Sequence, residues 1–449
     1  MTIKRVGWAT TLALLGAIGA CTVTVEDGDK DGSGGSAGSG GSDASGGKTS
    51  SGGATGDAGA ESPGDAGETG TGGSGAGGDT SSAGAAGDDG AAGSPSGTEN
   101  SALPESFTPS TLPSDFDLEV TEDLILNGEM CGSRAEIDTD DGEIRCYTSG
   151  LTSTKTYYAF AVVKQEDDGS EVAVFAGRNI EIDTTIQVKV VGQRPLVLLA
   201  PGDVTVRGHL EAVPNGDVGH GGGFSSPNDS GAKGLGPGGG GGGFDTAAGG
   251  GGGYCGPGGK GGGEEGAAGG KTYGNPEIVP LIGGSSGGKG SLTDAGPGGG
   301  AIQIVAGGEL YVTSTATIHV GGGGGTWGSS GGGSGGAILL EGETVRVAGT
   351  LAANGGGGGG QGTTGDNGQN ARPDAEPAKG GTTKVENGLG GDGAAGEVVA
   401  GSDGGSTGGG GGGGAGRIRI NSRSGEASIT GTLSPSLDTE CATQGTLGD

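Results

Sequence analysis

Apolar and polar residues alternate in short runs along the chain after Ser101. These runs recur as groups of three between Gly, Asp and Asn residues, a pattern typical of short strands. Five groups align with one another and begin at Val172, Leu196, Ile302, Ile338 and Ile418. The first two begin 24 residues apart without an insertion, and self-similarity at such a spacing indicates a solenoid. We therefore predict an all-β fold, and within that class a parallel β-helix.

The alternation also predicts the direction of each side chain. In the fourth group we expect these residues to point inward: Ile338, Leu340, Val345, Val347 and Leu351. The others would face water or lie at corners: Glu341, Glu343, Thr344, Arg346 and Thr350. In the first group, Val172, Val174, Ile180, Ile182 and Ile186 align with Leu196, Leu198, Val204, Val206 and Leu210. A β-sandwich with very long loops is the alternative fold, but the equal spacing argues against it.

Glycine runs occupy one position relative to this repeat. They precede a first strand, as at 298–300, 331–333 and 408–414, or follow a third strand, as at 321–325 and 355–360. The insertions therefore leave and re-enter at one corner and lie on one face. Such runs are either disordered or lie side by side as polyproline-II-like strands whose backbones hydrogen-bond. We predict a partly ordered layer.

The N-terminus carries an export signal. Lys4 and Arg5 precede an apolar stretch that is too short to span a bilayer. The residues Ile18-Gly19-Ala20-Cys21 resemble the bacterial lipobox, which implies a lipid on Cys21 and anchorage in a membrane. We expect the outer membrane, with the protein on its cell-surface or periplasmic side. A plain secretory peptide cleaved after Ala20 is the alternative.

Composition divides the chain further. Residues 26–100 contain no Val, Ile, Leu, Met, aromatic residue or Cys, so this segment cannot form a core and predicts a flexible acidic tether. The predicted organisation is a signal peptide at 1–20, a lipid-anchored disordered tether at 21–100, a small β region at 101–171 that caps the solenoid, and repeats with glycine-rich insertions at 172–449.

Four cysteines remain beyond the lipobox. An even number of thiols in an exported chain fits two disulfides, although the cysteine order alone permits three connectivities. We predict Cys131 paired with Cys146 and Cys255 paired with Cys441.

Charge and composition exclude several classes of protein. The 23 Lys and Arg residues against 54 Asp and Glu residues leave a net charge of −31, which opposes binding to nucleic acid. With 122 Gly, 17 Pro and 3% aromatic residues in 449, an ordinary globular enzyme is not expected.

Candidate chemistry is sparse. His209, His220 and His319 form no zinc motif, and we expect no cofactor or metal. Two groups of carboxylates are weak calcium candidates: Asp27, Asp29 and Asp31 in the tether, and Asp138 with Asp140 further on. A solvated linker explains the first group and a polar turn the second.

An enzyme remains the alternative class. Many β-helices act on acidic glycans, and Glu181 and Asp183, two residues apart on one strand, are candidate carboxylates. Lys189 and Arg207 are possible basic partners for a polysaccharide lyase or hydrolase. Ordinary solvated strand surface explains the same residues.

Three segments resemble a known family: Cys131–Asp140, Arg194–Ala200 and Gly414–Ile420. They are similar to elements of glycine-rich surface lipoproteins of myxobacteria, often labelled PE-PGRS-like. The repeat is more distantly similar to those of β-helical bacterial adhesins. The resemblance assigns no activity and no functional residue. From the signal, the tether and the repeat we expect a non-catalytic structural or adhesive role, with membrane contact through the lipid and with extracellular polysaccharide or surface proteins as partners.

Overall fold

The computed structural model describes residues 108–148, 151–154, 158–244, 247–291 and 293–447. They all belong to the second of two units, Ala91–Asp449. The signal peptide, Cys21, the tether and its calcium candidates Asp27, Asp29 and Asp31 lie outside the described residues.

The described chain is nearly all β, as predicted. The strands are β1 (Leu124–Leu126), β2 (Arg134–Asp138), β3 (Glu143–Thr148), β4 (Leu151–Thr154), β5 (Ala159–Lys164), β6 (Glu171–Ala176), β7 (Ile180–Ile182), β8 (Gln187–Val191), β9 (Leu196–Ala200), β10 (Val204–Val206), β11 (His209–Glu211), β12 (Ala301–Val312), β13 (Thr317–His319), β14 (Ala337–Val347), β15 (Thr350–Ala352), β16 (Arg417–Ser422), β17 (Ser428–Ile429), β18 (Thr432–Ser434) and β19 (Ala442–Thr446). A four-residue helix, α1 (Gly128–Cys131), is capped by the Asn127 side chain.

The strands form two sheets whose strand order largely follows the chain. The first runs β1-β7-β10-β12-β14-β16-β19, with β5, β6, β9 and β17 attached, and the second runs β18-β15-β13-β11-β8-β2-β3-β4. Pairing between successive repeats is parallel, whereas β2–β3, β3–β4 and β5–β6 are antiparallel hairpins. The 101–171 region supplies β1 and β2–β4, which lie at one end of the two sheets.

Four predicted alignments are confirmed residue by residue. Ile302 pairs with both Leu196 and Ile338, and Ile338 pairs with Ile418. In the second sheet, Leu210, Ile318, Leu351 and Leu433 occupy equivalent positions on successive strands. The alternation of the repeat therefore sets its register.

The alignment of the first group was wrong in two of its three strands. Ala173, and not Val172, pairs with Leu196, and Val188, and not Ile186, pairs with Leu210. The β6 strand is buried on both faces, and a continuous apolar run carries no information on its register. Ile180 does pair with Val204, as the 24-residue spacing predicts.

The first strand of each repeat separates two apolar cores. Its inward residues, such as Ile302, Ile338 and Ile418, join the core to which both sheets contribute. Its other face carries a second core that includes Val197, Leu339 and, from distant segments, Leu112, Tyr254 and Leu281.

The prediction that Glu341 faces water was therefore wrong, since its side chain lies on this covered outer face with 0% exposure. Exposed Glu343 and half-buried Thr350 follow the prediction.

The glycine insertions form an ordered layer, which we call the glycine bundle. It comprises the segments 248–254, 256–262, 284–290, 320–325, 331–336, 355–360 and 408–416 with their neighbours. Most of these glycines are buried. Each insertion follows a third strand and precedes a first strand, as predicted, because the insertions lie between β11 and β12, β13 and β14, and β15 and β16.

Hydrogen bonds in the glycine bundle repeat every third residue. Along 249–254, successive backbone N–H groups donate to three different neighbouring segments in turn, with N···O distances of 2.8–3.0 Å. The donor and acceptor pairs are Gly249 to Ser329 and Gly252 to Gly332, then Gly250 to Gly241 and Gly253 to Gly238, then Gly251 to Gly259 and Tyr254 to Gly256. The N–H groups of segment 410–415 likewise donate in turn to the three segments 356–359, 249–252 and 399–402. Three neighbours contacted in rotation are the mark of a three-residue turn, as in polyproline II. The predicted side-by-side packing is confirmed.

Candidate functional site

The calcium candidates Asp138 and Asp140 belong to a polar turn after β2. Asp138 Oδ1 accepts hydrogen bonds from the backbone N–H groups of Asp140 and Asp141 at 3.0 and 3.1 Å. Asp138 Oδ2 lies 3.0 Å from Arg145 Nη1, and Asp140 lies 3.2 Å from Arg194 Nη1. Cations and N–H groups of the protein therefore already occupy these carboxylates. Within the described ranges, no group of three His, Cys, Asp or Glu residues is suited to hold a metal ion.

The carboxylates proposed for a glycan enzyme are engaged by neighbouring groups of the protein. Glu181 lies on β7 and pairs with Arg207, with 3.2 Å between Oε1 and Nε. Asp183 lies in the following turn, where hydrogen bonds from the backbone and hydroxyl of Thr184 lower its pKa. Lys189 lies on β8 of the second sheet. Glu181, Asp183 and Arg207 are thus neighbours, Lys189 lies in the other sheet, and the two carboxylates serve an ion pair and a turn.

Both predicted disulfides are confirmed. Cys131–Cys146 joins α1 to β3. Cys255–Cys441 joins the glycine bundle to the residue before β19, across a sequence separation of 186. A crosslink over so long a loop lowers the conformational entropy of the unfolded chain, which stabilises the fold by about 5 kcal/mol in the chain-entropy model.

Aromatic rings also join the glycine bundle to the first sheet. Tyr254 and Tyr273 stack with 4.5 Å between their ring centroids, and Arg417, which opens β16, lies 5.8 Å from the Tyr254 centroid. Arg417 Nη2 donates to the Tyr273 carbonyl at 3.2 Å. Burial raises the pKa of both tyrosines, so both remain neutral at physiological pH.

A buried polar cluster lies on the outer face of the first sheet. We call it the Glu341 cluster: Ser110, Thr111, Gln303, Glu341 and Asn421. Gln303 Nε2 donates to Glu341 Oε2 at 2.6 Å, and Asn421 Nδ2 donates to Glu341 Oε1 at 3.0 Å. The Ser110 backbone N–H donates to Glu341 Oε2 at 3.1 Å, the Ser110 hydroxyl donates to Oε1, and the Thr111 hydroxyl donates to Gln303 Oε1.

Sequence reasoning missed the Glu341 cluster. Gln303, Glu341 and Asn421 lie on the first strands of three successive repeats, β12, β14 and β16, and Glu341 pairs in register with Asn421. Polar residues at neighbouring positions of aligned repeats were a signal that could have been noticed. The segment that covers them, 108–112, is far away in sequence and carries no repeat.

A groove lies between the 101–171 region and the glycine bundle. It has a volume of about 640 Å³, and its lining includes Lys164, Glu171, Arg194, Phe224 and Leu281. Arg194 is held by Glu171 at 3.0 Å and by Asp140, so its charge is compensated locally. The groove combines an apolar floor with a rim of both signs of charge.

Two further observations bear on the class of protein. No helix in the described part of the chain is long and apolar enough to cross a membrane. Comparison of the chain with family models, with curated proteins and with solved structures found no match.

Proposed function

We propose that this chain is an outer-membrane lipoprotein whose folded part is a parallel β-helix with a structural or adhesive role. The lipid on Cys21 and the acidic segment 21–100 would anchor and display it. Its partners would be extracellular polysaccharides or surface proteins. The alternative, a glycan-active β-helix enzyme, is disfavoured because Glu181 is held in an ion pair with Arg207, Asp183 is held in a turn, and Lys189 lies in the other sheet.

The β-helix interpretation rests on the order of the ladders. Repeats contribute successive strands to parallel ladders, as in β10-β12-β14 and β11-β13-β15, and the residues described between these strands contain no helix. Parallel neighbours without crossover helices support a chain that coils once per repeat.

One observation supports the role most directly. The glycine bundle and the strand ladders are continuous, since Gly336 leads into β14 and Gly416 into β16, and Cys255–Cys441 joins the two layers covalently. Disulfides persist in oxidising compartments outside the cytoplasm. A body stabilised by backbone hydrogen bonds and disulfides suits a load-bearing or displayed module.

The anchor is tested with Cys21→Ser in the full chain. Because the lipid is joined to this thiol, the variant should move from the detergent-rich phase to the aqueous phase in Triton X-114 partition. Thr22→Ser, at the neighbouring position, is the matched control and should partition as the wild type does. Equal partition of Cys21→Ser and the wild type would show that no lipid on Cys21 anchors the chain.

The role is tested in a strain that lacks the gene. Cell cohesion should fall and return with the wild-type chain, but not with the unanchored Cys21→Ser chain. Purified protein incubated with acidic polysaccharides should leave their length unchanged. Depolymerisation that disappears in Glu181→Gln would instead establish the enzyme.

A further inference from the structure

The Glu341 cluster places a hydroxyl against a carboxamide in a buried site. Thr111 is 3% exposed, while Gln303 and Glu341 are 0% exposed. The Thr111 hydroxyl contacts Gln303 Oε1, and Glu341 Oε2 accepts from Gln303 Nε2 at 2.6 Å. These two contacts fix the carboxamide with its oxygen towards the hydroxyl and its nitrogen towards the carboxylate.

This arrangement contains the groups needed for an acyl transfer. A hydroxyl is a nucleophile, a carboxamide is an acyl group with nitrogen as its leaving group, and a carboxylate beside that nitrogen can carry a proton to it. Because Thr111 Oγ1 contacts the carboxamide oxygen, the carbonyl carbon lies only one C=O bond, about 1.2 Å, beyond that contact. The hydroxyl oxygen and the carbonyl carbon are therefore neighbours in the buried site, and attack requires the hydroxyl to turn from the carbonyl oxygen towards the face of the carboxamide.

We propose that Thr111 and Gln303 form an intramolecular ester. A bond forms between Thr111 Oγ1 and Gln303 Cδ, the bond from Cδ to Nε2 breaks, and nitrogen leaves as ammonia with the hydroxyl proton. Glu341 faces the nitrogen that gains this proton, and its second oxygen accepts from the Ser110 hydroxyl. The reaction consumes no oxidant, metal or cofactor.

Two physical effects favour this otherwise slow reaction. Groups held in reactive geometry act at effective concentrations of about 10⁵ to 10⁸ M. The buried site also excludes water, which would otherwise hydrolyse the product, and ammonia diffuses away once it is released. The Glu341 cluster thus favours formation of the ester and protects it.

The position of the bond suggests its purpose. Thr111 lies close to Thr108, the first residue that the structure describes, and Gln303 lies on β12, in the middle of the first sheet. Force applied through the preceding chain would reach this segment first. An ester would join it covalently to the sheet, in addition to the burial of Leu112 in the outer core.

Peptide mapping of the full wild-type chain tests the proposal directly. After reduction and alkylation, trypsin should release residues 49–134 and 290–346, because no Lys or Arg lies inside either segment. With the ester these two peptides appear joined, at their combined mass less one ammonia. Alkaline hydroxylamine, which cleaves esters, should separate them. Two separate peptides of unmodified mass in the wild-type chain, or a joined pair that resists hydroxylamine, would overturn the proposal.

Variants identify the reacting groups. Thr111→Val keeps the shape of the side chain but removes the nucleophile, so the joined peptide should be lost. Glu341→Gln should reduce its amount at least tenfold in freshly purified protein. Thr139→Val is the matched control, since this buried hydroxyl donates to the Val191 carbonyl instead, and it should keep the joined peptide. A joined pair that persists in Thr111→Val would refute the assignment.

Discussion

Gly251→Ala tests whether the glycine bundle needs glycine for close approach. Gly251 does not lie in the left-handed region of backbone space, so its missing side chain, and not its flexibility, is what the fold uses. A Cβ built at this position lies 1.8 Å from the Gly412 carbonyl oxygen. Alanine therefore forces segments 249–253 and 411–414 apart by more than an ångström.

The magnitude follows from the hydrogen bonds at this point. Gly251 N donates to Gly259 O at 2.9 Å, and Gly259 N donates to Gly412 O at 2.8 Å, so separation weakens a buried chain of bonds. Overpacking costs about 1 to 3 kcal/mol, and each buried backbone group that loses its partner costs about 1 to 3 kcal/mol. With overpacking and one lost partner, we expect the free energy of unfolding to fall by about 2 to 6 kcal/mol.

Gly362→Ala is the control, measured by urea unfolding with circular dichroism. Nothing lies within 4 Å of a Cβ at Gly362, but its φ of +70° strains alanine by about 1 to 2 kcal/mol. Both substitutions restrict the unfolded chain equally, so this contribution cancels in the comparison. Equal losses of stability in Gly251→Ala and Gly362→Ala would refute the close-packing argument.

Two further predictions concern buried ionisable groups. Burial lowers the pKa of His319 from 6.5 to about 4, so between these pH values the unfolded chain binds a proton that the folded chain does not. The free energy of unfolding should therefore be highest above pH 6.5 and fall by about 3 kcal/mol towards pH 4. Urea unfolding at each pH should show that His319→Gln removes this pH dependence and that the control His209→Gln keeps it. Glu341→Lys should lower the free energy of unfolding by several kcal/mol, because it leaves a buried charge and unpaired donors. The control Glu343→Lys loses only an exposed ion pair with Arg423, worth about 1 kcal/mol or less. Equal shifts of the thermal midpoint in the two variants would contradict this prediction.

The sequence predicts the fold best where one face of a strand is polar. In β14 the residues Val345 and Val347 alternate with exposed Thr344 and Arg346, and their pairing agrees with the alignment. In β6 neighbouring apolar residues face two different cores, so the alternation is lost and the register could not be inferred. Period two shows which residues share a face, but it does not show what covers the other face.

The Glu341 cluster could not be predicted for the same reason. Glu341 follows four buried apolar residues and occupies an outward position, and an outward carboxylate is normally solvated. Segment 108–112 covers this position from more than 200 residues away in sequence, and nothing in its composition identifies that contact. The disulfides were predictable because four thiols allow few pairings.

The glycine bundle changes what the low apolar content of the chain means. The large apolar side chains are buried mainly in the strand ladders and the outer core, whereas the glycine bundle satisfies its buried N–H groups by bonds between neighbouring segments. A glycine run is unchanged by a shift of one residue, so nothing within the run can fix its register. The strands that follow the runs fix this register. Gly335 N donates to Gly414 O, and directly after these glycines β14 and β16 begin with the pair Ala337 and Arg417. The ladders thus order the glycine bundle, and the two layers form one cooperative structure.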